Sequence, residues 1–88
     1  MLSELEANMV TWRELIAEAM TDTGETIVAI AGNIDDRFHS GYGSPEGGPF
    51  TVWTETRVYF PVCYDGAESV ASAPRNPCDE QTEHVGSW

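Results

Sequence analysis

Arg57-Val58-Tyr59-Phe60-Pro61-Val62-Cys63-Tyr64 and Glu68-Ser69-Val70-Ala71-Ser72-Ala73 are two strand-like runs separated by little more than Asp65-Gly66. An Asp-Gly pair readily takes the positive-φ positions of a two-residue turn whose twist matches its flanking strands. The stretch therefore predicts a tight hairpin at Tyr64-Asp65-Gly66-Ala67. Upstream, Phe50-Thr51-Val52-Trp53 is aromatic and β-branched, and Thr54-Glu55-Thr56 connects it to the first run, which extends the hairpin into a meander. Pro61 has no N–H for a ladder, so it demands a sheet edge or a bulge.

Further out, Glu25 to Ala31 is β-branched in its centre and bounded by Gly24 and Gly32. It predicts one more strand, buried on at least one face. Leu2, Leu5, Met9, Trp12, Ile16 and Ala19 recur at spacings of three and four, the stripe of an amphipathic N-terminal helix. Two capping boxes compete for its start, Ser3 with Glu6 and Thr11 with Glu14. If the second is used, residues 1–8 are a frayed leader and Met9 becomes an alternative to Met1 as the natural start. Thr21-Asp22-Thr23-Gly24 stops the helix. Asp35-Asp36-Arg37 reads as a short helical turn or a loop. Gly41 to Pro49 holds four Gly and two Pro and must be a loop. Pro74-Arg75-Asn76-Pro77 ends the sheet and opens an irregular tail over 74–88, in which Asp79 to His84 has the composition of one helical turn. The predicted fold is α+β, the N-terminal helix laid on a three- to four-stranded antiparallel sheet.

Eighty-eight residues suffice for one domain, and residues 1–88 are read as such. A core this small gains from oligomerisation, which makes a homodimer one option. Fifteen Asp and Glu stand against four Arg and no Lys, a formal charge of −11. That balance disfavours direct binding to nucleic acid or to anionic membranes. An apolar content of 41% with nine aromatic residues separates the chain from disordered acidic tails. There is no apolar run long enough to span a membrane and no secretory signal pattern, so an intracellular setting is expected. In that setting Cys63 and Cys78 are expected as free thiols.

Catalytic chemistry finds little purchase. Cys63, Cys78, His39 and His84 match none of the paired-ligand spacings of zinc modules. Asp35-Asp36 and Asp79-Glu80 are adjacent carboxylates in turn-like sequence, more typical of solvated charge than of an acid/base pair. Gly41-x-Gly43 lacks the later glycine and the lysine of a phosphate cradle. No cofactor, no metal and no enzymatic activity are expected. Trp12 and Trp53 read as core residues, whereas Trp88 ends the chain.

The acidic charge is the feature furthest from the ordinary. A domain of this length is roughly 30 Å across, a span over which duplex DNA carries ~18 phosphates, about half of them on one face. Matching that density requires more than half of the carboxylates on one surface. Glu14, Glu18, Asp35, Asp36, Glu46, Glu55, Asp65 and Glu68 are the candidates for such an acidic face, with Glu4 and Glu25 flanking the helix stripe.

In size, acidity and one-domain α+β outline the chain resembles the small proteins with which phages and mobile elements inhibit host defence, the anti-CRISPR proteins among them. Pro49-Phe50-Thr51-Val52-Trp53-Thr54-Glu55-Thr56-Arg57-Val58-Tyr59-Phe60-Pro61, continuing to Tyr64-Asp65-Gly66, also looks like a segment of small phage and prophage proteins. The resemblance implies a non-enzymatic inhibitor in the cytoplasm of a bacterial host, lodged in the Arg/Lys-lined channel of a protein or ribonucleoprotein complex where nucleic acid would sit. Those families share no common motif, so it assigns no functional residue. The alternative is a small dimeric interaction module of phage origin that makes its contact through the apolar helix face.

Overall fold

The computed structural model describes residues 9–39, 46–64 and 67–85. In chain order its elements are β1 (Met9–Val10), α1 (Trp12–Ala19), β2 (Ala29–Gly32), β3 (Phe38–His39), β4 (Phe50–Trp53), β5 (Arg57–Tyr64) and β6 (Ala67–Pro74). A two-stranded antiparallel sheet joins β1 to β3, and a four-stranded antiparallel sheet runs in the order β2-β4-β5-β6. The described residues thus form a small α+β fold with one short helix.

The hairpin expected from the Asp-Gly signal is the longest ladder, running from Arg57↔Pro74 to Tyr64↔Ala67. Asp65 and Gly66 themselves lie outside the described residues. β4 pairs with β5 at Val52↔Tyr59 and Trp53↔Val58. Continued in the same register, that ladder would bring Phe50 opposite Pro61, which has no N–H to give. Pro61 pairs instead with Val70 on the β6 side and is exposed, so it occupies a local edge of an otherwise central strand.

The long helical stripe is corrected. The helix has eight residues and begins after Thr11, whose extended backbone (φ −117°, ψ 157°) stops it from running further back. Met9 lies in β1, opposite His39, and Ala19 is exposed. Leu2 and Leu5 fall outside the described residues. Of the described members of the expected stripe, only Trp12 and Ile16 are buried. The helix ends at Ala19, and the Gly24 N–H reaches back to the Met20 carbonyl (3.3 Å) with φ +69°, a conformation cheap only for glycine.

Trp12, Ile16, Ile34, Phe38, Phe50, Val52 and Tyr59 form the core. The Trp12 ring meets Phe38 at 4.5 Å and Phe50 at 4.8 Å between centroids, both tilted by 46°. Pairing β1 with β3 is what carries Phe38 to Trp12, and this tertiary contact overrides the helical spacing of Met9. Trp53, expected in the core, is only half-buried.

Two other expectations fail for reasons of packing. The strand expected over Glu25–Ala31 forms only at Ala29–Gly32, and all four of its residues are exposed rather than buried on a face. It is the edge of the sheet, and the helix packs towards β6 at the opposite edge. Residues 79–84 form no helical turn. Arg57 grips Glu80 through Nη1 and Nη2 (3.0 and 2.9 Å), which draws that part of the tail against the sheet.

Candidate functional site

Each expected acidic residue has a definite setting. Glu14 closes the capping box, its carboxylate accepting the Thr11 N–H (2.8 Å) while its own N–H donates to the Thr11 hydroxyl (3.1 Å). Near the positive end of the helix dipole this is a stabilising position. Glu18 is exposed in the last helical turn, where the dipole disfavours a negative charge, and no basic residue shares that turn.

Asp35 is exposed and holds Arg13 in a forked pair, Nε to Oδ1 at 2.6 Å and Nη2 to Oδ2 at 3.2 Å. The Arg13 hydrogen bond keeps the Asp35 carboxyl below the usual carboxylate range, and the same bond raises the guanidinium. The Arg13 N–H also donates to the Ile34 carbonyl (2.9 Å), so loop 33–36 abuts the first turn of α1. Asp35 therefore stands beside Arg13 in the first turn of α1, with Asp36 next to it in the chain. Asp36, Arg37 and Glu46 line one side of a hollow of about 420 Å³ floored by Trp12 and Phe38.

A second cluster surrounds the β4–β5 turn. Glu25 accepts hydrogen bonds from the Thr56 N–H (3.0 Å) and hydroxyl (2.5 Å). The Thr54 hydroxyl, followed by the two Thr56 donors, holds the Glu25 carboxyl below its usual range. Glu55 is exposed on the same turn, and Glu80 joins it through Arg57. The acids thus gather at two places, one at the start of the helix and one at the β4–β5 turn, with Glu18 apart. Asp65 lies outside the described residues.

Glu68 does not belong to any outward acidic surface. It is 7% exposed, and its carboxylate accepts the Glu46 and Gly47 N–H groups at 2.8 Å each. On the other side of this segment the Trp12 indole N–H donates to the Gly48 carbonyl (2.9 Å). A Cβ on Gly47 would stand 2.4 Å from Trp12 Cζ2 and 2.9 Å from Glu68 Oε1, so only glycine fits between them. Glu68, Gly47, Gly48 and Trp12 form a clamp that seats the end of the glycine-rich loop on the core. No local pattern announces it, because it joins three distant segments.

Three of the four arginines are engaged within the fold: Arg13 with Asp35, Arg57 with Glu80 and Ser72, and Arg75 with the Thr54 carbonyl. Among the described residues no group of three or more His, Cys, Asp or Glu has a metal-binding arrangement, and no helix is long and apolar enough to cross a membrane. Cys63 and Cys78 are free thiols, half-buried and exposed respectively. Comparison with protein families, curated proteins and solved structures finds no match for this chain.

Proposed function

We propose that this protein is a non-enzymatic binding module that docks its carboxylates onto a basic surface of a larger partner, the kind of surface that otherwise holds nucleic acid. The channel of a bacterial host-defence complex is the partner class that the resemblance to small phage-encoded inhibitors implies. The observation supporting this reading is that acids outnumber arginines at both places: Glu14, Asp35, Asp36 and Glu46 stand against Arg13 and Arg37 near the helix start, and Glu25, Glu55 and Glu80 against Arg57 and Arg75 at the β4–β5 turn. Exposed ion pairs contribute little one by one, so affinity must come from many of them and must be sensitive to salt.

The test is capture of a partner from a bacterial host lysate at two salt concentrations, repeated with Asp36→Lys/Glu55→Lys. Both residues are exposed and make no side-chain hydrogen bond among the described residues, so the fold should persist. Capture lost at high salt and in the double variant is the expected result. Capture indifferent to both would refute the reading.

A second reading, a homodimer, draws on a different feature. The helix residues Trp12 and Ile16 are consumed by the core, so the contact would not use the helix face. The face of the sheet opposite the core carries Trp53, Val58, Phe60, Val62, Ala71 and Ala73 by register, all half-buried and none charged. Two copies of a chain with charge −11 meet with least repulsion there. Sedimentation equilibrium that finds only monomer would dismiss it.

A further inference from the structure

Among the described residues nothing covers the outer edge of strand β2. Soluble proteins usually blunt a sheet edge with lysine, proline or an inward charge. The run Thr26-Ile27-Val28-Ala29-Ile30-Ala31-Gly32-Asn33 has none of these. All four β2 residues are exposed, and Val28 (52% exposed) and Ile30 (43%) are two of the most exposed large apolar side chains described. Ile30 stands opposite buried Val52, so it shares the core face of the sheet at the point where the helix no longer covers it. Among the described residues the edge therefore offers both unpaired backbone groups and apolar surface.

Charge decides what can occupy it. At one end β2 meets the β4–β5 turn, where Glu25 and Glu55 lie, and at the other it runs directly into Asp35 and Asp36. A second copy pairing antiparallel would set the Glu25 and Glu55 end of each chain against the Asp35 and Asp36 end of the other. A parallel pair would oppose like ends. Arg13 neutralises Asp35 and Arg57 neutralises Glu80 near these ends, but each copy carries a charge of −11, so either arrangement brings two strongly acidic chains together, which disfavours self-pairing and favours a basic occupant. We infer that β2 receives an extended segment of a basic partner protein, which adds to the sheet as a fifth strand. That segment has a short β-branched or apolar centre and Lys or Arg on both flanks. Main-chain hydrogen bonds supply affinity and the flanking charges supply selectivity. Four residues at ~3.3 Å each make β2 about 13 Å long, which sets the centre at some four to six residues. This rests on the reading that the partner is basic, and it names the part of the partner that makes contact.

The experiment uses the full chain and a peptide of alternating valine and threonine with two lysines at each end. Its counterparts are the same peptide with glutamates at the ends and two N-methylated forms, each blocking one alternation of amides. Calorimetry measures affinity, and amide exchange by NMR locates the contact. The expected result is new protection at Ala29–Gly32, binding at least about tenfold tighter for lysine than for glutamate flanks, and a loss of about tenfold or more for one N-methylated form only. Equal binding of the two N-methylated forms, or protection elsewhere than β2, would overturn the edge-strand inference. If binding in that case still weakened with salt, the broader acidic-docking reading would stand. Equal binding of lysine- and glutamate-flanked peptides at β2 would overturn the charge selection and count against the basic-partner reading itself. Protection of β2 in the free protein that grows with its own concentration would show a second copy there and overturn the choice of occupant.

Discussion

Replacing Glu68 by alanine should destabilise the protein more than any other single loss of a carboxylate. The side chain is almost wholly buried and its two oxygens accept the Glu46 and Gly47 N–H groups at 2.8 Å. A hydrogen bond to a charged group is worth about 1.5–3 kcal/mol, and a buried donor left without a partner costs about 1–3 kcal/mol. Glu46 is exposed and its N–H can turn to water, so only the Gly47 donor carries the full cost. About 1–3 kcal/mol for the Gly47 donor and about 1 kcal/mol for the solvent-satisfied Glu46 bond sum to about 2–4 kcal/mol for Glu68→Ala. In a domain of this size each kcal/mol moves the midpoint by about 4–8 °C, so the melting temperature should fall by roughly 10–25 °C. Glu68→Gln keeps the shape and one good acceptor and should lose about half as much. Thermal and urea denaturation followed by circular dichroism measure the effect, and the Trp12 clamp provides a local readout through tryptophan emission. A loss below about 0.5 kcal/mol, the size of an ordinary surface substitution, would show that Glu68 does not hold this segment.

Thr11→Ala removes the acceptor of the capping box and should cost about 1 kcal/mol, read from a urea midpoint. Glu18→Lys places a cation at the negative end of the helix dipole and should raise stability by about 0.5 kcal/mol. Glu18 stands apart from both acidic places, so on the proposed function this change should leave partner binding nearly unchanged. Glu25, Asp35 and Glu80 have carboxyls held below their ordinary values of 4.5, 3.8 and 4.5. A carboxyl depressed in the folded state contributes stability above its unfolded pKa and loses it as pH falls through the folded one. Stability should therefore decline below about pH 4.5, and Glu25→Gln should make that decline shallower in acid titrations followed by circular dichroism.

Whatever depends on neighbours in sequence could be read from the sequence. Tyr64-Asp65-Gly66-Ala67 announced the β5–β6 pairing because a turn that short dictates its register locally. Thr11 with Glu14 announced the helix start for the same reason, since a capping box closes within four residues. Helical spacing misled at Met9 because a periodicity is also met by chance, and the β1–β3 pairing that claims this residue depends on Phe38, far along the chain. Glu68 looked like one more surface acid on an alternating strand. Only the close approach of the glycine-rich segment turned it into a buried acceptor. The exposure of Val28 and Ile30 was equally hidden: the β-branched run was visible, but its place at the edge opposite the helix is settled by strand order. Composition determined that the chain is acidic, and local pattern determined most of the strands and the β5–β6 pairing. Which carboxylates are buried, which arginines are neutralised and which strand is left open were decided by tertiary structure, because long-range contacts redistribute burial and charge without leaving a local trace.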